Sequence, residues 1–174
     1  MGPIARMLED SEDRQGIRLL YITPLRALTR DLALAVQEPI DAMNWPLRVG
    51  IRNGDTSTSE RSRQVRTPPD ILITTPESLC VLLAGRHCER LFRNLDTVIL
   101  DEWHELIGSK RGVQSELALS WLRQQRVDLQ TWAISATIGN LEEASRHALG
   151  EGCEPCLITG AQTRGLEVTS ILPD

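Results

Sequence analysis

A chain of 174 residues is long enough for one domain with a substantial core, and its 41% apolar and 25% charged residues are typical of globular proteins. No apolar run approaches the ~20 residues of a membrane span, and residues 1–13 lack the apolar segment of a secretory signal, which predicts a cytoplasmic protein. The net charge of −5 excludes bulk electrostatic attraction as the main way to hold nucleic acid, but it allows a local basic groove.

Short apolar segments alternate with helical patterns along the chain. Strands are predicted at 17–23, 47–52, 70–74, 95–100, 131–134, 156–159 and 166–172. Helices are predicted after Thr23-Pro24, after Thr75-Pro76, at 112–126 and after Asn140. Strands that alternate with helices indicate an α/β fold with a parallel, doubly wound sheet. In such a sheet the carboxyl ends of the strands share one edge, and ligands bind there.

Three local signals predict where helices begin and end. Thr23-Pro24 has the residue types of an N-cap and a first helical position. Pro39 should end or kink the helix that follows, because proline lacks the backbone N–H. Asn140, with Glu143 three positions later, is close to a capping box.

The clearest chemical signal is a pair of acids directly after an apolar strand, Asp101 and Glu102. At the ligand edge of the sheet, one carboxylate can hold Mg²⁺ through water. The next can orient and deprotonate a water molecule that attacks a phosphate. The alternative interpretation is a strand end that turns into a helix with acids in its first turn, which the helix dipole favours.

Three other turns at the same edge carry hydroxyl groups. The segment 135–137 (S-A-T) follows the next strand and could contact the acids. The segments 23–26 (T-P-L-R) and 74–78 (T-T-P-E-S) each combine a hydroxyl with a proline at a helix start, where free backbone N–H groups suit phosphates. Taken singly, each of these turns is also compatible with ordinary helix capping.

Five short segments occur together in a specific order, namely P-L-R-A-L-T-R-D (24–31), G-D-T (54–56), T-T-P-E-S-L (74–79), D-E-W-H (101–104) and S-A-T-I-G-N (135–140). As a set they resemble the first RecA-like domain of superfamily-two DExH-box helicases. Within that superfamily the chain is similar to the large-helicase-related group, particularly its bacterial branch that is often encoded beside DNA-repair ligases. The resemblance covers residues 17–172 and implies a RecA-like P-loop NTPase domain, with residues 1–16 as an N-terminal remnant.

The resemblance implies a role for each part of the acidic motif. Asp101 would hold the Mg²⁺ of bound ATP, and Glu102 would activate the hydrolytic water. His104 would link the nucleotide site to a second helicase domain. The residues that would couple hydrolysis to strand movement are Ser135, Ala136 and Thr137.

The resemblance also implies a path for single-stranded or duplex DNA in a helicase of DNA repair, with RNA as the alternative substrate. The residues that would line this path, mainly by contact with phosphates, are Pro24, Leu25, Arg26, Gly54, Asp55, Thr56, Thr75, Pro76 and Glu77. Backbone contact of this kind explains why such motors tolerate any base sequence.

Two further groups of residues have a packing or solvent interpretation beside the functional one. Three arginines either reinforce the nucleic-acid face or lie on a solvated helix face: Arg61, Arg63 and Arg66. Trp103 matches the large-helicase-related pattern and equally fits a core aromatic residue. The tryptophans interpreted as packing residues are Trp45, Trp121 and Trp132.

The phosphate-binding loop G-x-x-x-x-G-K-[ST] that this family needs does not occur in the sequence. The only lysine, Lys110, follows the acidic motif and cannot take that role. We therefore expect a fragment or a mis-started reading frame that lacks the second RecA-like domain and is inactive alone. Two strands should also lose a neighbour and expose buried edges.

Two other classes of function remain as alternatives. The first is a degenerate, non-catalytic nucleic-acid-binding module, against which the intact acids at 101–102 count. The second is a metal or redox protein built on the C-x-x-C of Cys153 and Cys156. Because Cys80 and Cys88 are badly spaced to complete a zinc site, this pair is also interpreted as small buried side chains near a strand end.

Overall fold

The computed structural model describes residues 2–9, 15–136, 139–150, 153–158 and 160. The strands are β1 (Leu19–Ile22), β2 (Val49–Arg52), β3 (Ile71–Thr74), β4 (Thr97–Leu100) and β5 (Gln130–Ala133). The helices are α1 (Pro3–Glu9), α2 (Leu28–Ala42), α3 (Thr58–Arg66), α4 (Pro76–Leu83), α5 (Cys88–Phe92), α6 (Trp103–Leu106), α7 (Lys110–Gln125) and α8 (Leu141–Leu149).

The five strands form one sheet in the order β2-β3-β1-β4-β5, and every neighbouring pair is parallel. Helices cover both faces, which confirms the doubly wound α/β prediction. On one face Leu19 and Ile71 pack with Met7 of α1 and Ile40 of α2. The larger core lies on the other face, where apolar side chains of β1, β3 and β4 pack against α4 to α8. The strand order brings the ends of β1 and β4 together at the centre of the sheet.

The prediction for the first helix is wrong at its start. Thr23-Pro24 does not begin it, because α2 begins at Leu28 with Ala27 as an N-cap that makes no side-chain bond. Thr23 instead continues the sheet, since its N–H donates to the Thr74 carbonyl at 3.0 Å. Pro39 does not end the helix either. The last turn carries Ile40, which is only 1% exposed, and its burial outweighs the one hydrogen bond that proline removes.

The other helix starts follow the sequence signals. Pro76 is the first residue of α4, with Thr75 as an extended N-cap. The Asn140 side chain accepts from the Glu143 N–H, which confirms the N-cap. It also donates to the Glu143 carboxylate at 3.0 Å, whereas a full capping box would use the Asn140 backbone N–H. Helix α7 begins two residues earlier than predicted, because the Ser109 side chain caps it by accepting from Gly112 N–H.

The last part of the described chain departs from the sequence prediction. Residues 156–158 have no regular structure, and residues 159 and 166–172 of the predicted late strands lie outside the described residues. Cys153 and Cys156 are exposed rather than buried, so the packing interpretation of this pair is wrong. Residues 156–158 are exposed to solvent.

Strand β5 is an edge of the sheet within the described residues. Trp132 is 39% exposed and the following Ile134 is 47% exposed. The packing interpretation is therefore wrong for Trp132. Trp45 and Trp121 do pack, each partly buried against one of the two cores.

Candidate active site

The turns selected from the sequence meet at the carboxyl edge of the sheet. The Asp101 N–H donates to the Ile22 carbonyl at 2.8 Å, so the acidic turn lies directly beside the end of β1. The Ile134 N–H donates to the Leu100 carbonyl at 2.8 Å, and the Trp103 N–H donates to Ile134 at 2.9 Å. These bonds join the ends of β1, β4 and β5 into one surface.

The Asp101 carboxyl group is half-buried between charges and hydroxyls. Burial raises its pKa, and the charge of Glu102 raises the pKa further. Hydrogen bonds from the Glu102 N–H and from the hydroxyls of Tyr21 and Thr23 lower the pKa, but they offset only part of the rise. The same carboxylate acts back on Tyr21, whose pKa is raised to about 12 by burial first and by Asp101 next. The pocket therefore disfavours a second negative charge and favours a cation.

The neighbourhood of Asp101 fits a hydrated divalent cation. The Thr23 hydroxyl is buried and has no hydrogen bond of full geometry among the residues that the structure describes. A carboxylate with a raised pKa beside such a hydroxyl provides oxygen atoms, which Mg²⁺ prefers. The described residues contain no group of three or more side chains that could ligate a metal, so most ligands of an ion here would be water or phosphate oxygens.

Glu102 has a left-handed backbone, with φ 46° and ψ 47°. This conformation is rare for a residue with a side chain and is found most often where a site requires it. It turns the chain between β4 and α6. The Glu102 side chain remains 39% exposed, as a group that must reach a ligand or a water molecule should be.

His104 joins the acidic turn to the turn after β5. Its Nδ1 atom lies 3.0 Å from the Ser135 hydroxyl and 3.4 Å from the Glu102 carboxylate. The structure thus brings together the sequence-selected residues of two motifs that are 31 positions apart. Ala136 is exposed at the same turn, and Thr137 lies outside the described residues.

Trp103 is a core residue. Its side chain is 0% exposed, and its Nε1 atom donates to the Ala144 carbonyl at 2.9 Å. It anchors α6 against α8 and thereby supports the two catalytic candidates that flank it, Glu102 and His104. Packing explains this tryptophan without a direct contact to nucleic acid.

The first turn of the proposed nucleic-acid path, residues 24–26, contacts the loop that follows β2. Arg26, with Leu25 exposed beside it, forms an ion pair with Asp55 at 3.1 Å. Gly54 lies beneath this pair, where a Cβ atom would be 3.4 Å from the Arg26 guanidinium. The Thr56 hydroxyl accepts from the Asn53 N–H at 3.0 Å and closes the loop.

The arginines of α3 have different surroundings. Arg61 donates to the carbonyls of Asn53, Gly54 and Thr56, so it holds the loop in shape. Arg63 is 71% exposed and pairs with Glu60 one turn earlier. The solvated-face interpretation fits Arg63 and the exposed Arg66, whereas Arg61 has a structural role that the sequence pattern did not separate.

The second turn of the path begins α4. Thr75 and Pro76 are buried, and Glu77 is half-exposed. Burial raises the pKa of Glu77, but its backbone N–H, the Thr75 hydroxyl and Arg111 outweigh burial, so the net pKa is lowered. Arg111 was not selected from the sequence. The only available signal was its place in the unusual segment 108–112, G-S-K-R-G.

The environment of Asp101 predicts that Asp101→Asn makes the folded chain more stable at neutral pH. A carboxyl group whose pKa is raised by folding favours the folded state when protonated and opposes it when ionised. The free energy of unfolding of Asp101→Asn should therefore exceed that of the unsubstituted chain as the pH rises above the ordinary pKa of aspartate, about 4. Below that pH the difference should vanish. Urea unfolding between pH 4 and 8 measures this, with the exposed Asp128→Asn as control. Equal midpoints for Asp101→Asn and the unsubstituted chain at pH 7 would contradict the assigned environment.

A parallel α/β sheet with an acidic pair at the end of one central strand, linked by a histidine to the next strand, defines the RecA-like class of nucleotide-driven motor domains. The family model for DEAD/DEAH box helicases matches residues 1–144. The chain belongs to the DEAD/DEAH box helicase family. The family resemblance found from the five sequence motifs is thereby confirmed.

Several relatives are named as Lhr helicases. ATP-dependent helicase Lhr-Core of Methanothermobacter thermautotrophicus is 34% identical over 99% of this chain and 22% of its own length. Lhr helicase/uracil glycosylase of Escherichia coli is 39% identical over 82% of this chain and 10% of its own length. The structure of Mycobacterium smegmatis helicase Lhr bound to ssDNA and AMP-PNP is 32% identical with a TM-score of 0.74, covering 86% of this chain and 21% of that one. The chain spans at most about a fifth of the length of these proteins.

The described helices include none that is long and apolar enough to cross a membrane.

Proposed function

We propose that this chain is the acid-bearing and strand-binding part of the first motor domain of an ATP-dependent DNA helicase that acts in DNA repair in the cytoplasm. The observation that carries the proposal is the meeting of Asp101, Glu102, His104 and Ser135 at one sheet edge. The helicase Lhr structure bound to ssDNA and AMP-PNP, similar over most of this chain, supports DNA and ATP as ligands.

The two acids have different surroundings and therefore different tasks. Asp101, half-buried with a raised pKa, is suited to a magnesium ion bound to ATP. Such an ion neutralises phosphate charge when bound. Glu102 is more open to solvent and can orient a water molecule and accept its proton during attack on the terminal phosphate.

The contact between His104 and Ser135 provides a coupling between hydrolysis and movement. Because His104 also approaches Glu102, a change at the nucleotide can alter the hydrogen bond to Ser135. The turn 135–137 can then move relative to a second RecA-like domain, which we propose lies across this edge. Closure of two domains on ATP and opening after hydrolysis would move the strand.

The path of the strand follows from the same edge. The α4 N-terminus offers backbone N–H groups to phosphates, and Arg26 adds positive charge beside the loop at 54–56. We assign residues 17–172 to the first RecA-like domain and residues 1–16 to a preceding segment. A phosphate-binding loop from outside these motifs is needed to hold ATP, so the 174-residue chain alone should be inactive.

The experiment that tests this function is a comparison of ATP hydrolysis by two proteins. One is the 174-residue chain. The other joins this segment to a phosphate-binding loop and a second RecA-like domain. We expect hydrolysis only by the second protein, stimulated by single-stranded DNA more strongly than by RNA of the same length. A rate of ATP hydrolysis that neither nucleic acid changes would contradict the motor function. Stronger stimulation by RNA would identify RNA as the substrate.

A further inference from the structure

The segment Gly108–Gly112 builds a rigid start for α7, and the function proposed above uses none of its residues. Gly108 has a φ of 72°, which turns the chain after α6. The Ser109 side chain donates to the Leu106 carbonyl at 2.6 Å and accepts from the Gly112 N–H at 3.1 Å. These contacts fix the backbone on both sides of Arg111.

Arg111 contacts two turns of the proposed nucleic-acid path at once. Its Nε atom donates to the Glu77 carboxylate at 2.7 Å. Its Nη1 atom donates to the Pro24 carbonyl at 3.2 Å. The side chain is nevertheless 52% exposed, and it is held at two of its nitrogen atoms. A planar guanidinium fixed in this way presents its remaining N–H groups in a defined direction.

Glu77 is otherwise hard to reconcile with a surface that binds phosphates, because a carboxylate repels them. Its pairing with Arg111 resolves this, since an ion pair has little net charge and orients the arginine fork. An ion pair as exposed as this one adds little to stability, which favours orientation over stabilisation as its purpose.

We infer that Arg111 is a phosphate-binding residue of the nucleic-acid path, oriented by the Glu77 carboxylate and the Pro24 carbonyl. The inference rests on the proposed function, because the path itself belongs to that proposal. It adds to the path an oriented guanidinium donor from α7, the helix that follows the acidic motif. Arg111 thus joins the strand-binding turns to α7, which packs against the helix that carries His104.

Binding of a labelled oligothymidylate to the 174-residue chain tests the inference. The test is whether Glu77→Gln raises or lowers the affinity. Simple electrostatics predicts that Glu77→Gln tightens binding to a polyanion, because it removes a negative charge. Orientation of Arg111 predicts the opposite, a loss of affinity of about threefold. The control is Glu142→Gln, which removes a more exposed acid from an ion pair on α8 and should leave binding unchanged or slightly tighter.

Two substitutions of Arg111 test the phosphate contact itself, with fluorescence anisotropy measured over a series of salt concentrations. Arg111→Gln should weaken binding about tenfold and reduce the salt slope by ~0.7, the value for one phosphate on a single strand. Arg111→Lys keeps the charge, so it should restore the slope but only part of the affinity. Thermal unfolding of each variant identifies any loss of fold.

A measurement on the unsubstituted chain keeps the test independent of folding. The NMR signal of Arg111 Nε–H should shift when the oligonucleotide is added. An unshifted signal, or Glu77→Gln binding as tightly as the parent chain, would overturn the role of Arg111 and leave the proposed function standing. Complete absence of oligonucleotide binding by the unsubstituted chain would overturn both.

Discussion

Replacing Glu102 by glutamine should lower strand-stimulated ATP hydrolysis by a factor of about 10² to 10⁴, the usual contribution of a general base. The measurement is the single-turnover rate of a protein that joins this segment to a phosphate-binding loop and a second RecA-like domain. ATP binding should survive, because glutamine has the size of glutamate and only loses the ability to accept the proton. The effect should therefore appear in the hydrolysis step rather than in affinity.

The geometry of Glu102 explains why this residue, and not its neighbour, should act as the base. Its backbone is left-handed, and 39% of its side chain is exposed. The pKa of Asp101 is raised by burial and by Glu102, which makes Asp101 the better partner for a cation. If Asp101 were the base and Glu102 held the cation, Asp101 would have to position the water molecule in a more buried environment than Glu102 provides.

The control for this prediction is Glu105→Gln. Glu105 lies 3.6 Å from the other ring nitrogen of His104 and is 62% exposed, so its substitution removes a negative charge beside the same histidine. Hydrolysis by this variant should stay within about threefold of the parent, since the carboxylate is not at the sheet edge. If Glu102→Gln and Glu105→Gln had the same effect, the loss would reflect charge near His104 and the base assignment would be wrong.

The sequence could predict the sheet and its functional edge because both depend on short-range patterns. Continuous apolar runs place the strands to within a few residues, and parallel connections bring their carboxyl ends together. The residues of the acidic motif are located by this rule alone. The order of the motifs at that edge indicated the family of the chain. No single motif could establish the family.

The sequence could not predict features that depend on distant contacts. Thr23-Pro24 has the residue types of a helix start, but a hydrogen bond to the Thr74 carbonyl extends the sheet through Thr23. The ion pair of Arg111 with Glu77 joins residues 34 positions apart, and the contact of His104 with Ser135 joins residues 31 positions apart. Pairings at such distances are set by how α7 and β5 pack, and periodicity carries no information about them.

The largest effect on folding should come from Gly112→Ala. A Cβ atom at Gly112 would lie 2.1 Å from the Leu106 carbonyl oxygen and 2.8 Å from its carbon. Both are backbone atoms, so they cannot move aside as a flexible side chain can. The carbonyl is also fixed by the Ser109 N–H at 3.0 Å and the Ser109 hydroxyl. We expect a loss of ~3 kcal/mol in the free energy of unfolding, at the upper end for overpacking.

Gly108→Ala is the matched control, because it adds the same methyl group four residues earlier. No atom lies within 4 Å of a Cβ at Gly108, so only its φ of 72° opposes the side chain. This should cost about 1 kcal/mol. Urea unfolding of both variants separates the steric effect at Gly112 from the general cost of replacing glycine. Equal losses in the free energy of unfolding would show that the backbone between α6 and α7 moves to accommodate the methyl group at Gly112.

The same substitution connects folding to function at this junction. Helix α6 carries His104 and follows Glu102, whereas α7 carries Arg111, so a shift of the Leu106 carbonyl displaces both groups. We therefore expect Gly112→Ala to weaken oligonucleotide binding as well as stability, even at temperatures where the variant is fully folded. Gly108→Ala should retain binding because the contacts of Ser109 and Gly112 remain. Retained affinity in a folded Gly112→Ala chain would mean that Arg111 does not depend on the packing of this glycine.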